Sequence, residues 1–214
     1  CDRFTVLRRG QVVGFGDVPA HTEKNISNMM VGRDVVLELQ KSKAQPHEEV
    51  ARIQNLSYTN SFGKNLLKDV SFSMRKGEIL GIAGVEGNGQ NELSEILTGL
   101  RKFKRGEITI NCADIRGMNV RKLRELGVSS ISEDRMTYGC AATMSIRDNI
   151  IADRYYKKGY SKGILLNMKA IDRQVDEYIA NFAIATPTAE SMVSMLSGGN
   201  IQQVAVTREC GSGA

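Results

Sequence analysis

Leu196-Ser197-Gly198-Gly199-Asn200, followed at one remove by Gln202, is the stretch that decides how this chain reads. At ordinary composition, five fixed residues recur by chance about once in a million positions. The stretch has a physical job. Two glycines let the backbone come close to a phosphate, and the serine supplies a hydroxyl donor. The residues that follow, Ile201 to Val206, read as the start of a helix whose N-terminal amides and dipole face the anion. The plain alternative is a Ser/Gly loop ahead of a helix.

A second phosphate-type loop lies about 110 residues upstream. Ile79-Leu80-Gly81-Ile82-Ala83 is a short apolar run with the composition of a buried strand. It ends in Gly84-Val85-Glu86-Gly87-Asn88-Gly89-Gln90-Asn91-Glu92, and Leu93, Ile96, Leu97 and Leu100 then follow at helical spacing. Strand, glycine loop and helix form the context of a P-loop, in which successive amides cradle phosphate oxygens. The pattern G-x-x-x-x-G-K-[ST] is met at Gly84 and Gly89. Gln90 stands where the lysine belongs, and Asn91 stands where a Ser or Thr holds magnesium. Glutamine offers a neutral hydrogen bond only. Losing one charge-assisted contact costs roughly 1.5–3 kcal/mol, about ten- to a hundredfold in affinity. Glu86 and Glu92 add negative charge beside the phosphates. The candidate nucleotide-binding set is Gly84, Glu86, Gly87, Asn88, Gly89, Gln90, Asn91 and Glu92, a weak catalytic loop but a plausible binding one.

These motifs resemble the second nucleotide-binding domain of a tandem ABC ATPase of the simple-sugar and nucleoside importers, similar to the ribose and galactose import proteins. The match is carried by Leu67 to Phe72, Gly77 to Gln90, Ile131-Ser132-Glu133-Asp134-Arg135 and the signature at Leu196 to Asn200. In that family the second domain typically lacks the P-loop lysine, so Gln90 supports the resemblance. The form Val85-Glu86-Gly87-Asn88-Gly89-Gln90 is closer to the nucleoside branch. The resemblance implies an α/β P-loop NTPase fold with an antiparallel β subdomain and a helical subdomain. It also implies that residues 1–33 end a first nucleotide-binding domain, 34–50 form a linker and 51–209 begin the second domain. Residues 211–214 read as a flexible tail or an appended scar.

The resemblance further implies ATP and magnesium as ligands of the intact tandem protein. Membrane permease subunits and the first nucleotide-binding domain are the implied partners, with an extracytoplasmic substrate-binding protein reached through the permease. The implied location is cytoplasmic, peripheral on the inner face of the cell membrane. Each ATP would sit between the P-loop of one domain and the signature of the other. Glu133 stands in the region where ordinary ABC domains carry a glutamine. A coupling contact to the membrane subunit and a salt bridge with Arg135 are both open roles for it. Tyr58 or Phe62 would stack on adenine, or else each is a strand-surface aromatic. The Walker B acid and the switch histidine lie beyond Glu209 in the family. The expectation is that this chain alone has no catalytic residue and negligible ATP turnover. Two other readings stand beside import: an ABC-type nucleotide-binding or regulatory module outside transport, and an inert truncated fragment.

The remaining sequence agrees. In 214 residues, 41% are hydrophobic and 25% charged, ordinary values for a globular domain. The formal net charge is +5, spread over many segments without aromatic interleaving, which argues against a nucleic-acid partner. There is no signal-peptide pattern and no apolar run of 18 residues. Cys1, Cys112, Cys140 and Cys210 lack metal-ligand spacing and read as reduced thiols, and His21 and His47 read as surface residues. Phe4 to Gly14 reads as two strands around Gly10, and Thr22 caps a helix to Met30. Glu107 to Asn111 and Val128 to Ser132 read as strands. Val120 to Leu126 reads as a helix with Arg121, Lys122 and Arg124 outward. Segment 140–195 reads as helical, with Ser145 capping Ile146 to Ala152 and a core stripe of Ile171, Val175, Ile179 and Phe182.

Overall fold

The computed structural model describes residues 1–8, 10–32, 34 and 44–211, with Arg135 described by its backbone alone. Residues Arg33, most of the expected linker (35–43), Ser212 to Ala214 and the Arg135 side chain of the expected Glu133 salt bridge lie outside the described set. The chain divides into two compact units, residues 1–45 and 46–214.

In the first unit, Gly10 at φ +79° turns the chain between β1 (Arg3–Arg8) and β2 (Gln11–Asp17), which pair antiparallel. Only glycine adopts that φ without steric cost. Helix α1 (Glu23–Val31) starts as expected, with Thr22 Oγ1 accepting from the Asn25 amide at 3.2 Å.

The second unit begins with long alternating strands. β3 (Glu49–Thr59) pairs with β4 (Asn65–Arg75) on one side and with β5 (Arg105–Ile110) on the other. β6 (Ala113–Asp114) extends the antiparallel sheet to the order β4-β3-β5-β6. Against it lie α2 (Gln90–Leu97) and α3 (Val120–Glu125), and Ile53, Leu56, Ile96, Ile108 and Leu123 form a dry core. α2 ends earlier than the apolar spacing implied. Gly99 takes φ +79° and Leu100 is left exposed outside the helix.

The helical half carries its own core. α4 (Ile146–Ile151) is capped by Ser145, whose Oγ accepts from the Asp148 amide at 3.0 Å. α5 (Met168–Asn181) buries Ile171 and Val175 fully and Ile179 and Phe182 in part, the expected stripe. α6 (Gly198–Cys210) adds Ile201, Val204 and Ala205 to the same core. Segment 140–195, expected to be helical in character, also carries a small hairpin of β7 (Ser161–Lys162) and β8 (Leu165–Leu166). Gly163 at φ +64° sits at the first position of its two-residue turn, where a primed turn demands positive φ.

Two expected strands do not form. Ile79 to Ala83 and Val128 to Ser132 take no regular secondary structure and pair with no strand among the described residues. They flank a cleft of about 790 Å³ walled by Ile53 and Ile110 of the sheet and by Leu93 and Leu97 of α2. A strand is made by its ladder partners, and an apolar run without them stays irregular, here with Ile79 82% exposed. No described helix is long and apolar enough to cross a membrane.

Candidate functional site

The upstream loop is held by its glycines. Gly89 adopts φ +102° and caps α2. A Cβ there would come 2.7 Å from the Leu66 carbonyl oxygen, so no other residue fits. Gly87, at φ +83°, has open space on its Cβ side. The apex from Glu86 to Asn88 is exposed, while Leu93 and Ile96 anchor α2 in the sheet core. Gln90 folds back over the loop. Its Nε2 donates to the Val85 carbonyl at 3.2 Å, and a Cβ on Gly84 would lie 2.1 Å from that nitrogen. The side chain in the lysine position therefore bonds to the loop's own carbonyl with a neutral amide. Asn91 is exposed. Glu92 lies in the first turn of α2, favourable for the helix dipole but repelling a phosphate. If the loop takes ATP, as the resemblance implies, Gln90→Lys is expected to tighten its binding about ten- to a hundredfold in a calorimetric titration. Equal affinities in the two proteins would contradict this role for position 90.

The signature loop rests on the other core. Leu196 is half-buried against the helical cluster, whereas Ser197, Gly198 and Gly199 are exposed. The helix begins sooner than the sequence implied. Ser197 is the N-cap residue (φ −65°, ψ 154°), and Gly198 to Asn200 form the first turn of α6. A Cβ on Gly199 would meet nothing within 4 Å. Gln202 is exposed on the first turn and a half of the helix. The N-terminal end of a 13-residue helix thus faces outward through glycine and a hydroxyl, an arrangement suited to anions.

The other candidate residues fall in different surroundings. Tyr58, on β3, has its ring covered by the Arg101 guanidinium at 5.1 Å and its hydroxyl accepting from Arg101 Nη1 at 2.7 Å. Phe62, at the tip of the β3–β4 turn, is 92% exposed. Glu133 is exposed at a bend. Its neighbour Asp134 fixes the following turn by accepting from the Met136 and Thr137 amides at 3.0 Å each. The hydrogen bonds from Thr137 hold the Asp134 carboxyl below the usual carboxylate range.

One constellation escaped the sequence. Arg124, expected outward on α3, turns inward instead. Its Nη2 donates to both carboxylate oxygens of Glu209 at 2.7 and 2.9 Å, and its Nη1 donates to Asp153 at 2.9 Å. Arg208 and the Ser130 amide also donate to Glu209, and Arg154, itself buried, donates to Asp153 and to the Arg208 carbonyl. This network ties the C-terminal end of the signature helix to α3 and to segment 129–130. Partners 85 residues apart leave no local spacing to read.

An antiparallel sheet, a glycine loop opening a helix against it and a glycine-serine helix cap on a separate helical core together define a nucleotide-binding cassette of α/β P-loop type. The family model for ABC transporters matches residues 67–211, and the chain belongs to that family. Among solved structures it resembles the ADP conformation of the ATP-binding cassette MJ1267 (TM-score 0.60, 18% identity, 78% of this chain and 66% of that one). It also resembles a nucleotide-free cassette (TM-score 0.59, 20% identity, 78% and 66%). Among curated proteins it is 38% identical to a guanosine import ATP-binding protein of Bacillus subtilis (strain 168), over 98% of this chain and 41% of that protein. It is 36% identical to a nucleoside import ATP-binding protein of Lactococcus lactis subsp. cremoris (strain MG1363), over 97% and 41%. It is 34% identical to a ribose import ATP-binding protein of Clostridium tetani (strain Massachusetts / E88), over 97% and 40%. The chain spans about two fifths of the length of these relatives.

Proposed function

We propose that this chain is part of the ATP-binding subunit of an importer for nucleosides, or for simple sugars, and that it works as the second of two nucleotide-binding domains. The observation that carries this reading is the exposed signature cap at the start of α6, combined with a P-loop whose lysine position is a glutamine bonded to the Val85 carbonyl. The signature loop serves ATP and magnesium held by the complete P-loop of the first domain. Ser197 and the amide-rich first turn close on the γ-phosphate, and the charge they meet is largest when the terminal phosphoryl group is being transferred. The chain's own loop, with Gln90 and Asn91, makes the weaker of the two sites. Phe62 is the better placed of the two aromatics to stack on a base, since Tyr58 already carries Arg101. The exposed Glu133 bend is the surface offered to a membrane permease at the inner face of the membrane. An extracytoplasmic binding protein delivers substrate to that permease.

The higher identities to the guanosine and nucleoside proteins favour the nucleoside branch. Uptake of labelled purine nucleosides and of pentoses is compared in cells with and without the gene that carries this chain. Loss of nucleoside uptake is the expected result. Loss of pentose uptake alone overturns the nucleoside assignment, and unchanged uptake of both overturns import.

A further inference from the structure

We infer that Asn200 is a positioning residue that sets the Ser197 hydroxyl as an outward donor to a phosphate oxygen. This inference rests on the signature loop meeting a phosphate, as proposed above, and adds how the loop is prepared for it. Asn200 is half-buried in the first turn of α6 and is held at both ends of its carboxamide. Its Oδ1 accepts from the Ala185 backbone amide at 3.1 Å, and its Nδ2 donates to Ser197 Oγ at 3.0 Å.

The orientation of the amide follows from chemistry. A backbone N–H only donates, so the carbonyl end of Asn200 must face Ala185 and the NH₂ end must face Ser197. Rotating the group by half a turn would set two donors against each other at Ala185. Ala185 in turn follows the buried Ile184 and the left-handed Ala183 (φ 52°), so its amide is fixed by the helical core and not by the signature loop.

The consequence falls on Ser197. An N-cap serine ordinarily accepts from a backbone amide of the first turn. Ser197 makes no such bond. Its oxygen is engaged as an acceptor by Asn200 instead, so its single O–H proton is directed away from Asn200, on the exposed side of the loop. A hydroxyl that already accepts one hydrogen bond is a better donor for the next, and a phosphate oxygen supplies only acceptors. Asn200 thereby fixes the polarity of the loop before any ligand arrives.

The test is a double-mutant cycle on ATP turnover by the full-length protein with its permease: unchanged, Asn200→Ala, Ser197→Ala and both together. Asn200→Ala is expected to lower turnover about three- to tenfold, and to add nothing further when Ser197 is already alanine. A loss that persists in the Ser197→Ala background marks a packing role and overturns the inference, as does an Asn200→Ala protein with unchanged turnover. Asn200→Asp guards against misfolding. It keeps the size and the bond to Ala185 but turns the serine proton inward, so its turnover should fall at least as far as that of Asn200→Ala. A fully active Asn200→Asp protein overturns the inference. If Ser197→Ala itself leaves turnover unchanged, the signature reading fails and the role of Asn200 falls with it.

Discussion

Replacing Glu209 with glutamine is expected to lower the unfolding free energy of the chain by about 3–5 kcal/mol, because it removes the buried carboxylate that the part-buried Arg124 and Arg208 share. Glu209 is 1% exposed. Its carboxylate takes two bonds from Arg124, one from Arg208 and one from the Ser130 amide. Burial pushes the Glu209 carboxyl upward, but the hydrogen bonds and charges of Arg124 and Arg208 more than offset that push and hold it below its ordinary value of 4.5. The sign of the pH dependence follows. A group whose folded pKa is depressed stabilises fully above its unfolded pKa, and that contribution is lost as pH falls through the folded pKa. The gap between the unchanged chain and Glu209→Gln should therefore be widest from about pH 5 upward and should shrink below pH 4.5. Urea unfolding at pH 7 and pH 3.5 measures both quantities. A difference below 1 kcal/mol at pH 7, or a gap that widens on acidification, contradicts the account.

How much of this was legible in the sequence follows from the range of each interaction. Local signals served well. Thr22 and Ser145 cap their helices as their positions suggest, and Ile171 and Val175 mark the buried side of α5. The glycines of the P-loop are recognisable because positive φ and close approach exclude other residues, as at Gly89. What failed was non-local. Ile79 to Ala83 has strand composition, yet strand structure comes from partners that no window of sequence contains. Arg124 looks like a surface residue of a short basic helix until Glu209 is brought beside it. The Asn200 link to Ala185 was hidden for a related reason: the fifth residue of the signature reads as part of a phosphate loop, while its carbonyl end belongs to the turn after α5. One helix holds both surprises. At about 1.5 Å per residue, the 13 residues of α6 span roughly 20 Å. Its N-terminal end is open to solvent and its C-terminal end is bolted into an ion network, so the two ends can be perturbed separately.

The second large effect is at the open end. Ser197→Ala is expected to reduce ATP turnover by the full-length protein about 10²- to 10³-fold, the usual consequence of deleting one preorganised donor to a developing anionic charge. The loss should reside in turnover and not in folding. Ser197 is exposed, its hydroxyl makes no cap bond to the helix, and surface changes of this kind typically shift stability by no more than about 0.5 kcal/mol. Position 90 supplies the control. Gln90 is spent on the Val85 carbonyl; if, as proposed, the complete site takes only the signature from this chain, Gln90→Ala should leave turnover within a few-fold of the unchanged protein. Steady-state turnover with unfolding midpoints for both variants decides the matter. Ser197→Ala within threefold of the unchanged protein, or Gln90→Ala as damaging as Ser197→Ala, would mean that the chemistry depends on this chain's own glycine loop and that the assignment of strong and weak sites must be exchanged.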